Sequence, residues 1–217
     1  MKQPLVGMID EIAFCIFCLC IILYTSLLFI RFRSNEPFKL TLYNKIYEDW
    51  VKNRLEMPSE ISTVQILRNV QVANSTLISA LFILLGILIG FYNSAFLDSS
   101  PFFWIEGLER GFIKISVNLF VIMFCIINFI LSIRSITRCS LLISGKPQNY
   151  SIGSVNGVEA AKNAFLSGKN HWMYGIRGLF FLIATLTWFL NSILFIVITC
   201  LISGYLILFR DVRRIEA

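Results

Sequence analysis

Four long stretches of this 217-residue chain carry no charge: Ile12–Ile30, Val72–Leu97, Ile115–Ile133 and Gly178–Phe209. Each holds the roughly 20 apolar residues that a helix needs to cross the hydrocarbon core of a bilayer. The pattern predicts an all-α, polytopic membrane protein. Its four-helix transmembrane bundle forms one domain over residues 1–217, with long loops at 31–71 and 134–177.

Composition agrees. Charged residues make up 15% of the chain and mean hydropathy is +0.75, where a soluble domain carries about 25% charge. The net charge of +6 does not point to nucleic acid, because the basic residues gather beside the apolar runs, where anionic headgroups lie. Asp10 and Glu11 precede the first run in place of a basic segment, so that run is expected to remain as a span rather than act as a cleavable signal.

The first long loop carries Arg31, Arg33, Lys39, Lys45, Lys52, Arg54 and Arg68. The second carries Arg134, Arg138, Lys146, Lys162, Lys169 and Arg177. The opposite side has Lys2, Arg110, Lys114, Arg210, Arg213 and Arg214. The positive-inside rule then places both loops in the cytoplasm and both termini outside, against the vote of the basic tail. The expected location is the cytoplasmic (inner) membrane of a prokaryote. The fourth run is too long for one upright span and too short for two with a turn. One tilted helix is the simpler expectation, with Asn191 needing a partner helix.

Pro58-Ser59 reads as a helix start, and Ser100-Pro101 as a cap followed by a first-turn proline. The third helix is expected to run to Ser144, before Gly145-Lys146-Pro147. The second and third helices therefore overhang the cytoplasmic side. Tyr43, Ile46, Tyr47, Trp50 and Val51 form an apolar stripe with charged residues opposite. This suits an interfacial amphipathic helix on the headgroups or a helix packed on those overhangs. Val158, Ala161, Phe165 and Leu166 form a weaker stripe, after a polar stretch, Gly145 to Asn156, that reads as a loop.

Chemistry-bearing motifs are scarce. Cys15, Cys18 and Cys20 lie inside an apolar helix and read as packing residues, as do Cys125, Cys139 and Cys200. His171 is the sole histidine, so a haem, copper or di-iron centre has too few ligands, and a Ser or Cys nucleophile has one candidate base. No cofactor and no metal are expected. No charge lies deep within a run, which argues against a proton-coupled pump. Asn74, Asn118, Asn128 and Asn191 are expected to hydrogen-bond between helices. Arg31, Arg33, Arg68, Arg134, Arg138 and Arg177 fall near the cytoplasmic boundary and would form a belt at one depth. That belt anchors the protein to anionic headgroups, or pairs bidentately with a phosphate-bearing headgroup or an acidic partner.

Thr63-Val64-Gln65-Ile66-Leu67-Arg68-Asn69 with Ala73-Asn74-Ser75-Thr76, and Gly175-Ile176-Arg177-Gly178-Leu179-Phe180-Phe181 leading to Trp188, resemble the prokaryotic and plant membrane family catalogued as domain of unknown function 599. In that family's second motif aromatic residues follow the arginine more closely than here. The resemblance implies a chain of similar length with about four spans. It singles out Arg68, Arg177 and Trp188 and supplies no activity.

The expected function is therefore non-catalytic: an accessory or structural subunit of a larger membrane complex. Its partners would be the bilayer and other membrane subunits or copies of itself. The alternative is a small homo-oligomeric channel or carrier for an anionic or polar solute. A lipid-modifying enzyme ranks third, for want of catalytic groups. The candidate contacts with lipid headgroups or partners are Arg68, Arg134, Arg138, Arg177 and Trp188.

Overall fold

A computed structural model describes residues 3–33, 39–56, 60–91, 99–103, 105–145, 147–152 and 155–211. About 90% of the described residues are helical. The helices are α1 (Gln3–Arg33), α2 (Lys39–Glu56), α3 (Glu60–Phe91), α4 (Arg110–Ser144), α5 (Gly157–Thr187) and α6 (Ser192–Tyr205), the last extended by a π-helical turn over Leu206–Asp211. Among the described residues, three segments are long and apolar enough to cross a membrane: Met8–Ile30, Ser62–Phe91 and Arg110–Ser144. Ser192–Leu208 is a shorter apolar helix. The α3 and α4 helices run 32 and 35 residues, about 48 and 52 Å. Both exceed the roughly 30 Å hydrocarbon core, as the sequence predicts.

Two compact units divide the chain. The first comprises Met1–Lys39, Leu84–Met123 and Gly178–Ala217; the second comprises Leu40–Ile83 and Phe124–Arg177.

In the first unit, aromatic packing organises the core. Trp188 stacks on Phe195 at 4.8 Å and on Phe14 at 6.0 Å, while Phe17 meets both Phe181 and Phe195. Such ring pairs contribute about 0.5–1.5 kcal/mol each beyond the area they bury. These contacts set helix directions. The end of α5 runs antiparallel to α1, since Trp188 lies by Phe14 and Phe181 by Tyr24. The α6 helix runs parallel to α1, since Ser192 meets Asp10 and Cys200 meets Cys20.

The fourth apolar run is therefore not one tilted helix. It breaks at Trp188–Leu190, and Asn191 caps α6 by accepting the Ile193 N–H at 2.7 Å. The reason is local: the Asn191 side chain replaces a carbonyl for an orphan amide of the new helix, so Asn191 serves as a cap rather than as a link to a partner helix. The Ser100-Pro101 expectation also changes. Pro101–Phe102 (β1) and Ile105–Glu109 (β2) form a small antiparallel hairpin, and α4 starts only at Arg110. Phe103 at its turn and Gly107 at the register shift within β2 both have positive φ, and Phe102 is buried against Phe14. Pro58 and Ser59 lie outside the described residues.

In the second unit, α2 packs through Tyr47, Trp50 and Val51. Phe165 lies 5.7 Å from Tyr47 and 5.3 Å from Trp50, and Val51 is fully buried. Leu67, Ile136, Cys139, Ile143 and Ala164 complete this core. Tyr43 and Ile46 of the same stripe stay exposed, as does the neighbouring Leu42. The polar stretch after α4 is more ordered than a plain loop. Ser151–Ile152 (β3) pairs with Val155–Asn156 (β4), and Gln148 donates to the Leu55 carbonyl at 2.6 Å.

Candidate functional site

Two polar constellations occupy helical surroundings, one in each unit. In the first unit, Asp10 and Glu11 stand near the start of α1, and both are buried. Asp10 Oδ1 accepts from Trp188 Nε1 at 2.8 Å and from the Ser192 hydroxyl, and pairs with Lys114 Nζ at 3.1 Å. The Lys114 ammonium also lies 5.5 Å from the Trp188 ring centroid. Glu11 Oε1 accepts the Phe103 N–H at 2.8 Å and lies 3.8 Å from Arg110, which itself donates to Ser100 Oγ at 3.0 Å.

The architecture explains this gathering. The starts of α1, α4 and α6 and the end of α5 meet at one end of the unit, each bringing a polar residue. One turn further along α4, Asn118 donates to the Thr185 carbonyl at 3.2 Å and accepts from the Thr185 hydroxyl at 2.8 Å. Opposite charges balance in this cluster, so its direct effect is to hold the chain reversal after α5 against α1 and α4. Removing one member of such a buried pair strands the other at a cost of about 3–5 kcal/mol.

In the second unit, α4 and α5 run antiparallel. Ser132 donates to the Gly168 carbonyl at 2.8 Å and accepts from Asn74 at 3.3 Å, while Ser135 and Ser167 lie 3.4 Å apart. Asn128 Nδ2 donates to the Phe124 carbonyl at 2.9 Å, leaving Oδ1 to accept from His171 Nδ1 at 3.1 Å. His171 Nδ1 is therefore the donor in this contact. Gly175 meets Phe129 so closely that a Cβ would stand 2.5 Å from its ring.

These contacts place the arginines. Arg68, Arg134 and Arg138 are exposed; Gln71, which donates to Thr137 at 2.8 Å, brings their stretches of α3 and α4 side by side. Arg177 is 5% exposed and stacks over Tyr174 at 5.5 Å. It follows Gly175 and so lies near the level of Phe129, roughly 10 Å along the axis from Arg134. Along the same axis Arg68 lies near the level of Arg138, since Gln71 meets Thr137 and Asn74 meets Ser132 on the antiparallel α4. Trp188 belongs to the other unit. The side chains of Arg31 and Arg33 lie outside the described residues.

Lys169 is buried at 8% exposure. It donates to Asn44 Oδ1 and lies 5.6 Å from the Tyr47 ring centroid. Among the described residues no group of three or more His, Cys, Asp and Glu side chains is placed to hold a metal.

In sequence, Asp10 and Glu11 mark only the absence of a basic segment before the first run; in the fold they anchor this cluster. The signal was there: adjacent acids at the start of one run, and Arg110 and Lys114 one helical turn apart at the start of another, on the same predicted side of the membrane. Lys169 reads as a loop charge in sequence because the first half of α5 is too polar for a span, whereas it is buried within that helix.

A family model described as protein of unknown function, DUF599, matches residues 12–214. No curated protein and no solved structure matches the chain.

Proposed function

We propose that this chain, which belongs to the DUF599 family, is a non-catalytic integral membrane subunit that joins a larger assembly in the cytoplasmic membrane of a prokaryote through α3. The observation that carries this reading is the open surface at Gly86 and Gly90. They are four residues apart on an apolar helix, and nothing lies within 4 Å of either Cβ position. Small residues at this spacing let a second helix approach closely, and packing rather than hydrophobic burial drives association in lipid. Ser79 and Thr76 satisfy their hydroxyls on their own helix, at the carbonyls of Ser75 and Val72, so they add polarity to this helix without demanding a partner of their own.

In the bilayer, α5 brings the chain to the end where α1 begins, and α6 returns it. Ser192–Leu208 rises about 25 Å, close to the hydrocarbon thickness. On this reading the N-terminus lies outside and the C-terminus in the cytoplasm. Arg210, Arg213 and Arg214 then join the other basic residues, and only Lys2, Arg110 and Lys114 remain opposite. The positive-inside rule becomes more consistent than with both termini outside.

The test is cross-linking in intact membranes. A chain with its native cysteines replaced and Gly90→Cys introduced should yield a cross-linked product heavier than one chain. The same chain with cysteine at Leu23, exposed on α1, should yield little. Equal products at both positions, or none at Gly90, would count against α3 as the association face.

A further inference from the structure

Contacts along α2 fix how it lies against α5. Asn44 accepts from Lys169, Tyr47 meets Phe165 at 5.7 Å, Glu48 pairs with Lys162 at 3.5 Å, and the Leu55 carbonyl accepts from Gln148. As residue numbers rise on α2 they fall on its partners, so α2 runs lengthwise along α5 and antiparallel to it. Lys169 follows Gly168, whose carbonyl accepts from Ser132. Ser132 stands at the end of the uncharged run Ile115–Ile133, and Arg134 is the first charge beyond it. Asn44 therefore lies at the membrane boundary. Gln148 follows the end of α4 at Ser144, so Leu55 lies roughly 16 Å further from the run along the helix axis.

The exposed surface of α2 changes character over the same distance. Leu42, Ile46, Asp49 and Asn53 are all exposed and share one stripe, at i, i+4, i+7 and i+11. That stripe is apolar where the helix leaves the boundary and polar beyond it. Tyr43 is exposed beside Leu42 and stacks on Tyr47 at 6.4 Å. Its ring and hydroxyl suit the layer between acyl chains and water. Lys45, exposed on the same turns, has the reach to bring its ammonium to lipid phosphates. A helix lying flat on the headgroups keeps one apolar face along its whole length. Laid flat, α2 would carry Asp49 and Asn53 to the depth of Leu42.

We propose that the first turns of α2 contact the lipid interface through Leu42, Tyr43 and Ile46, and that the rest of the helix stands in water against α5. The helix thereby braces the overhanging end of α4 and the first half of α5 against the membrane surface.

The test uses the full chain, native cysteines kept, in vesicles of phosphatidylglycerol and phosphatidylethanolamine. A photoreactive benzoylphenylalanine replaces Leu42, Ile46, Asp49 or Asn53, one position at a time. All four side chains are exposed, so the probe disturbs no packing. The same probe at Ile83, exposed on the apolar segment of α3, marks full lipid capture. Mass spectrometry after illumination reads the lipid joined to each chain. Lipid adducts at Leu42 and Ile46 should approach the yield at Ile83 and be lost at Asp49 and Asn53. Equal adducts at all four positions would reveal a helix lying flat and overturn the proposal. Loss of adducts at Leu42 and Ile46, or capture of a second chain there in place of lipid, would overturn it as well.

Discussion

Trp188 donates its indole N–H to Asp10 Oδ1 at 2.8 Å, joining residues 178 positions apart. This bond ties the end of α5 to the start of α1 at the point where the chain reverses into α6. Lys114 and the Ser192 hydroxyl share the same oxygen, so one carboxylate coordinates donors from three other segments. Asp10→Asn should lower stability by about 3–5 kcal/mol, because it leaves Lys114 buried without its counter-charge. The double variant Asp10→Asn/Lys114→Met should recover most of the loss. Thermal unfolding in detergent checks this, and equal stability of the natural and Asp10→Asn chains would contradict it. Trp188→Phe keeps the ring stack and loses the hydrogen bond, for an expected cost of about 1.5–3 kcal/mol.

Cys20 on α1 lies beside Cys200 on α6. Mild oxidation should therefore join them within one chain, giving a faster-migrating band on non-reducing gels. Replacing either cysteine with serine should abolish the band. A product with the mass of two chains, and none within one, would show that α6 does not run along α1 in this register.

Glycines separate the internal packing from the outer surface. Gly175→Ala should overpack Phe129 and cost about 1–3 kcal/mol, since the new methyl group would stand 2.5 Å from the ring. Gly90→Ala meets nothing within 4 Å and should leave unfolding of the isolated chain unchanged. A similar destabilisation in both would remove the contrast between a packed face and an open one.

The side on which the chain ends is also measurable. Reporter fusions active only in the cytoplasm or only outside it, placed after Ala217, should report a cytoplasmic C-terminus. The same reporters at the N-terminus should report the outside. Both ends on one side would require α5 or α6 to stay out of the bilayer.

Much of the fold was legible because hydropathy is a local property. The apolar runs, the extension of α4 to Ser144 and the amphipathic stripe of α2 all follow from residues close in sequence. The break after Thr187 was not, because neither proline nor glycine marks it. Asn191-Ser192 carries the capping signal, but within an apolar run that pair reads equally well as intramembrane polarity. The cluster at Asp10 depends on helix directions, and those became definite only once the break was known. The small hairpin at Pro101–Glu109 was hidden because Ser-Pro is as good a helix start as it is a strand entry.

The most direct test of the subunit reading is the mass of the particle released from membranes in native lipid. The chain alone is 24.9 kDa. A particle of several chains is predicted, shifting toward the single-chain mass in the Gly86→Leu/Gly90→Leu variant with unfolding unchanged. A lone 24.9 kDa chain released from native membranes, with no companion protein, would contradict it.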